Sequence, residues 1–233
     1  MNSSPSAAKL GAGANSTLAF DLAAVRADFP ILSRKVHGER LVYLDSAASA
    51  QKPNQVLAAM DQLYRNSYSN VHRGAHCLGQ EVTELFEQAR ETVAGFIGAG
   101  SSDEITFTRG TTEAINLVAS SYGRGFLKAG DEVILTVMEH HSNIVPWQLL
   151  RDQIDITIKV VPIDELGNFD VAAYEALLTD RTKLVAVTHV SNALGTIVPV
   201  KEVIRLAHEA GAKVLLDGSQ AAPHRRVDVS ALD

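Results

Sequence analysis

The sequence has 233 residues, 46% of them apolar, with 27 acidic and 21 basic side chains, a formal net charge of −6 and one cysteine. A chain of this kind can bury a substantial core, which excludes a wholly disordered protein. The acidic balance offers no basic stripe for nucleic acid, no apolar run reaches the ~20 residues that span a bilayer, and one cysteine rules out an intrachain disulfide or a multi-cysteine metal site.

The first 17 residues are rich in Ser, Ala and Gly and show no period, so residues 1–17 are expected to form a disordered tail, with the fold in residues 18–233. The basic start and apolar core of a signal peptide are missing, and the lone thiol fits a reducing, cytoplasmic setting. Residues 21–29 read as a short helix, with Asp21 as N-cap and Pro30 as the stop. Residues 41–44 form a short apolar run expected to be extended. Val56, Met60, Leu63 and Tyr64 mark one helical face, and Val82, Leu85, Phe86, Ala89, Val93, Phe96 and Ile97 mark a longer one that ends at Gly98. Strands are then expected over residues 105–108, 132–137, 156–162, 183–190 and 213–217, with helices over 112–122, 143–152, 171–179 and 200–209. The last two strands are near-continuous apolar runs, as in parallel strands buried on both faces. The alternation implies an α/β domain with a mostly parallel sheet and flanking helices.

In such sheets ligands bind beyond the carboxyl ends of the strands. After residues 105–108 comes Arg109-Gly-Thr-Thr-Glu-Ala-Ile-Asn116, which puts Thr111 and Thr112 where a helix begins. Backbone N–H groups and two hydroxyls there suit a phosphate, and an ordinary cap is the alternative. After the next strand, His140 offers a flat imidazole for stacking or proton transfer; a capping histidine is the alternative. Asn192 follows the fourth strand. Asp217 closes the fifth, followed by Gln220. A carboxylate closing an apolar strand is expensive to bury unless paired with a cation, and a protonated ring nitrogen is one such cation. A phosphate seat, an imidazole, an amide and a carboxylate together describe a pocket for pyridoxal 5'-phosphate. His72 and His76 have a metal-like spacing, but Gly74 lies between them and no third ligand is evident, so no metal site is expected.

Six segments in order resemble the class V aminotransferase family, in particular its SufS-like (group II) cysteine desulfurases. They are Tyr43-Leu-Asp-Ser-Ala-Ala-Ser-Ala-Gln-Lys-Pro53, Asn70-Val-His-Arg-Gly-Ala-His76, Arg109-Gly-Thr-Thr-Glu-Ala-Ile-Asn116, Met138-Glu-His-His-Ser-Asn-Ile-Val-Pro-Trp147, His189-Val-Ser-Asn-Ala-Leu-Gly-Thr196 and Leu216-Asp-Gly-Ser-Gln-Ala-Ala222. The resemblance implies the large domain of the fold type I pyridoxal-phosphate-dependent transferases, incomplete here. It implies that Thr111 and Thr112 hold the phosphate, that His140 stacks on the ring and takes part in catalysis, and that Asn192 and Gln220 bond the ring's 3-oxygen. Asp217 would pair with the ring nitrogen. His72 and Arg73 would lie near the substrate, and Arg109 and Glu113 near a dimer interface. The implied reaction takes L-cysteine to L-alanine, leaves its sulfur as an enzyme-bound persulfide for iron–sulfur cluster assembly, and involves a homodimer and a SufE- or SufU-type acceptor.

The family's cofactor-anchoring lysine, which follows a Ser/Thr-Gly-His stretch, has no counterpart in these 233 residues. Neither do its persulfide-forming cysteine, its substrate-carboxylate arginine and its C-terminal small domain. Cys77 lies in a different local sequence and is no substitute. The chain is therefore expected to be inactive by itself. Selenocysteine lyase or another class V enzyme is one alternative, and a truncated, non-catalytic homologue that binds cofactor or a partner is another. The resemblance also implies that residues 105–108 lack a pairing strand, leaving an open edge prone to aggregation.

Overall fold

The computed structural model describes residues 20–232, so the tail expected over residues 1–17 lies outside the described residues. The chain divides into two units, residues 1–66 and 67–233. In the first, Asp21 caps α1 (Leu22–Ala27) as its position predicts, its Oδ1 accepting from the Ala24 amide at 3.0 Å. Strands β1 (Lys35–Val36) and β2 (Glu39–Arg40) pair antiparallel across His37 and Gly38, whose φ angles are 53° and 85°. Positive φ at both positions is what a two-residue hairpin of type I′ requires. The apolar run at 41–44 enters no ladder; instead the Tyr43 hydroxyl donates to the Ser49 carbonyl at 2.6 Å. Helix α2 (Asn54–Gln62) carries the predicted face, and a π-helical turn, Leu63–Ser67, continues it.

The second unit opens with α3 (Cys77–Ile97), which stops at Gly98 in the left-handed conformation, φ 70°. Helix α4 (Thr111–Val118) runs through a π-helical turn, Ala119–Gly123, into the short α5 (Arg124–Phe126). Then strand and helix alternate: β3 (Glu132–Thr136), α6 (Val145–Ile154), β4 (Thr157–Val161), α7 (Val171–Leu177), β5 (Thr182–Thr188), α8 (Val200–Glu209) and β6 (Lys213–Asp217). The four strands form one parallel sheet in the order β4-β3-β5-β6.

Side-chain alternation along the strands sorts the core into two layers. Val133, Leu135, Leu184 and Ala186 pack with Ile115 of α4 and with Trp147 and Leu150 of α6. Ile134, Val185 and Val187 pack with Tyr174 of α7 and with Val203, Leu206 and Ala207 of α8. Helices therefore cover both faces of the sheet, which is why its strands read as continuous apolar runs. The chain leaves β3 toward α6 on one face and β5 toward α8 on the other. The crevice between the carboxyl ends of β3 and β5 is thus the switch point where doubly wound sheets bind ligands.

One expected strand does not form. Residues 105–108 join no ladder among the described residues. Ile105 has extended backbone, φ −100° and ψ 120°, but its carbonyl is taken by a side chain: Arg90 Nε donates to it at 3.2 Å, and Arg90 Nη2 donates to Ser102 O at 2.6 Å. Extended dihedrals alone make no strand without a neighbouring backbone to receive the hydrogen bonds.

Candidate active site

The carboxyl ends of β3, β5 and β6 and the start of α4 converge. Thr188 is in register with Asp217, and the His189 amide donates to the Asp217 carbonyl at 2.9 Å, so β5 and β6 end level. Asp217 is buried. Its Oδ1 accepts from both the amide (2.9 Å) and the hydroxyl (2.5 Å) of Ser219, the turn geometry typical of an Asp two residues before its donor. The Ser219 hydroxyl meets Thr111 Oγ1 at 2.8 Å, which ties the end of β6 to the first turn of α4. The chain enters that helix through Gly110 at φ 153°, a conformation that side chains rarely adopt. Beside it Glu113 accepts from the Arg109 amide at 2.6 Å and pairs with its guanidinium, and the guanidinium and amide hold its carboxyl below the usual range.

Beyond β3 the chain turns at Met138-Glu-His-His-Ser-Asn143. His140 is exposed, and its Nδ1 accepts from the Ser142 amide at 3.2 Å and lies 2.8 Å from the Ser142 hydroxyl. His140 thus caps the 3-10 turn His141–Asn143 while its other ring nitrogen stays available. An acceptor role at Nδ1 puts the proton of the neutral ring on Nε2. Helix α4 packs beside this turn.

The structure brings together Thr111, Asp217 and the turn that carries His140, and places Thr112 one residue further along the start of α4. Asn192 is exposed on the loop after β5, and Gln220 is half-buried in the turn after β6. His72 sits instead against α3. Its φ is 61°, its amide donates to Thr83 Oγ1 at 2.9 Å, and its Nε2 lies 2.7 Å from Glu87 Oε1. Arg73 is exposed in the same turn. Cys77 is also exposed, and Glu81, which accepts from its thiol at 3.1 Å, pushes its pKa up, so the thiolate is disfavoured.

Sequence reasoning overlooked three residues. Ser219 links the two ends of the pocket, and its signal was its position two residues after Asp217. His189 is buried, its Nδ1 is without a hydrogen-bond partner, and burial followed by the Arg225 charge lowers its pKa, which keeps the ring neutral. Glu139 is buried between β3 and β5; its only signal was a charge directly after the apolar run of β3.

Asp217 also decides whether the residues suit pyridoxal phosphate. Among the described residues no Lys, Arg or His forms an ion pair with this buried carboxylate. A carboxylate so placed fits a ligand that brings its own cation, and a protonated pyridine nitrogen is one. Hydroxyls and helix N–H groups lie on the same connection, where a phosphate would sit.

The class V aminotransferase pattern matches residues 42–233. The chain belongs to the class V aminotransferase family. Curated cysteine desulfurases are similar to it, one of Yersinia pestis at 55% identity over 213 residues and one of an Enterobacter strain at 52% over 216. The alignments cover 91% and 93% of this chain but 52% and 53% of those relatives. The chain therefore spans about half the length of the relatives it matches. The crystal structure of the cysteine desulfurase CsdA of Escherichia coli is similar at a TM-score of 0.80 and 41% identity, over 91% of this chain and 52% of that one. The apo cysteine desulfurase of Thermococcus onnurineus gives 0.83 and 39%, over 91% and 50%. The expected fold, part of a pyridoxal-phosphate-dependent transferase large domain, is the fold found.

Proposed function

We propose that this chain carries the cofactor-binding half of a SufS-like cysteine desulfurase. The observation that carries the reading is the buried Asp217, without a cation and joined through Ser219 to Thr111. Thr111 and Thr112, with the first N–H groups of α4, would hold the phosphate of pyridoxal phosphate. His140 would cover one face of the ring, Asp217 would accept a charge-assisted hydrogen bond from the protonated ring nitrogen, and Asn192 and Gln220 would meet the 3-oxygen. His72 and Arg73 would serve the substrate side. When bound, the cofactor supplies an electron sink that weakens bonds at the amino acid's α-carbon. Asp217 keeps that sink strong by holding the ring nitrogen protonated. His140, with Nδ1 committed to Ser142, has Nε2 left to give or take a proton. In the same reading the substrate is L-cysteine, the assembled protein is a cytoplasmic homodimer, and a SufE- or SufU-type protein receives the sulfur.

The test is a titration of the 233-residue chain with pyridoxal phosphate, followed by absorbance and by quenching of Trp147. Saturable binding is expected, with D217A weakened about tenfold or more by loss of a buried charge partner. Lack of saturation, or equal affinity in D217A, would overturn the reading.

A further inference from the structure

One buried polar cluster of the second unit is not among the residues just assigned to cofactor or substrate. Glu139 is 8% exposed and lies one residue before His140. Its Oε1 accepts from Thr136 Oγ1 at 2.7 Å and from the Thr188 amide at 3.0 Å; its Oε2 accepts from Asn143 Nδ2 at 2.7 Å. Asn143 is fully buried, and its Oδ1 accepts from Nε1 of Trp147, also fully buried, at 3.0 Å. Thr136 Oγ1 already accepts from the Met138 amide at 3.0 Å, so its own proton is directed at Glu139.

Each hydrogen-bond partner of this carboxylate therefore donates to it, and the chain of donors has one direction, from Trp147 to Asn143 to Glu139. The bonds cross the switch point. Thr136 and Asn143 flank the turn that leaves β3, whereas Thr188 is the last residue of β5 and pairs in register with Asp217. Glu139 thereby fastens the base of the His140 turn to the strand whose end is level with Asp217.

We propose that Glu139, oriented by Asn143 and Trp147, is a positioning residue that sets the place of the His140 imidazole relative to Asp217. This deepens the cofactor reading above and rests on it for its functional meaning. The alternative is a clamp that adds stability alone. The two differ in what happens when the hydrogen-bond pattern is broken without any change of shape.

E139Q makes that break. A glutamine has one acceptor oxygen where the carboxylate has two. If the oxygen faces Thr188, the new NH2 faces Asn143 Nδ2. If Asn143 then turns over, its own NH2 faces Trp147 Nε1, and the mismatch has only moved. Adding N143D repairs every link. The introduced glutamine donates to one oxygen of the introduced aspartate, Trp147 donates to the other, and the glutamine's own oxygen serves Thr136 and Thr188. The charge moves to the neighbouring member of the cluster and the pattern is restored.

The experiment compares wild type, E139Q and E139Q/N143D of the 233-residue chain. Trp147 is the sequence's one tryptophan, so its emission reports on the cluster directly. Nitrogen-15 NMR of the His140 ring reports its tautomer and surroundings without any cofactor. The expected result is a shift of both signals in E139Q and their return in the double variant. Affinity for pyridoxal phosphate is expected to fall roughly tenfold in E139Q and to recover in the double variant. Unchanged His140 signals in folded E139Q overturn the proposal, as does a double variant in which they stay displaced. If E139Q does not fold, the double variant decides alone, native His140 and Trp147 signals supporting the proposal and displaced ones overturning it. If wild type fails to bind pyridoxal phosphate, the cofactor reading falls, and the His140 and Trp147 signals still decide whether Glu139 positions that ring.

Discussion

Glu132 and Glu139 bracket β3, both are buried, and their surroundings differ in kind. Glu132, at the amino end, is 2.7 Å from Lys159 Nζ and 3.0 Å from Arg181 Nη2, and it accepts from the hydroxyls of Thr179 and Thr182. Burial pushes its carboxyl up, but the Lys159 and Thr179 hydrogen bonds and the Lys159 charge outweigh burial, so its pKa lies below 4.5. Glu139, past the carboxyl end, has three donors and no cation, and the negative Asp217 is near. Burial dominates there, and its pKa lies above 4.5. The amino end of the sheet neutralises its buried charge. The carboxyl end keeps two carboxylates close together with neutral donors, which is costly for folding and useful where a cation is to be bound.

The largest loss is expected at the amino end of the sheet. E132A removes the acceptor of two threonine hydroxyls and leaves Lys159 with the Leu177 carbonyl, and an expected loss of about 3 kcal/mol follows from opening a buried pair. The low end of the range applies because Arg181 and Lys159 can reach water. Chemical denaturation measures this, and affinity for pyridoxal phosphate in the folded variant should match wild type. An affinity loss as large as that of D217A would show that the two ends are not independent.

Acid separates the two glutamates by sign. A carboxyl with a lowered folded pKa contributes stability that is present above 4.5 and is lost as pH falls through the folded value, which is Glu132. A carboxyl with a raised folded pKa makes stability fall as pH rises from 4.5 through the folded value, and the penalty is constant above it, which is Glu139. The stability difference between wild type and E132Q should therefore shrink as pH falls below about 4.5, whereas that between wild type and E139Q should move in wild type's favour earlier, as pH falls through the raised folded value toward 4.5. Denaturation midpoints at several pH values read both, and parallel slopes would contradict the assigned environments.

Much of the second unit was legible in the sequence because the hydrophobic period and the burial agree there. The runs at 183–190 and 213–217 became β5 and β6, and residues 200–209 became α8 (Val200–Glu209), whose buried Val203, Leu206 and Ala207 keep the helical spacing. Residues 105–108, Ile-Thr-Phe-Thr, have the alternation of a strand and failed, because a strand is defined by its neighbour and the neighbour of residue 105 is Arg90. The hairpin at Lys35–Arg40 went unseen because its residues are all exposed and leave no alternating pattern. At the site, Thr111, His140 and Asp217 stood out because each lies at or just past the carboxyl end of an expected strand and carries a group suited to a phosphate, a ring or a cation. Ser219 and Glu139 did not, because their role is in which partner each meets, and that is set by β3, β5 and β6 lying level. For Asn192 and Gln220 the sequence named positions on the right loops, and the resemblance alone supplied their roles.

The smallest expected effect lies at the carboxyl end of the sheet. S219A removes the hydroxyl that joins Thr111 to Asp217 and leaves the Ser219 amide still donating to Asp217 at 2.9 Å. Ser219 is exposed and Thr111 half-buried, so water can replace the lost partner, and the expected stability change is about 0.5 kcal/mol. The effect on cofactor affinity should be larger than the effect on stability, roughly threefold to tenfold, because the hydroxyl fixes the start of α4 against the end of β6 before any ligand arrives. Equilibrium titration with pyridoxal phosphate, set beside a denaturation curve of the same variant, tests that inequality. A variant that loses stability but no affinity would mean that the Thr111–Ser219 bond serves the fold like the Glu132 cluster at the other end of the sheet.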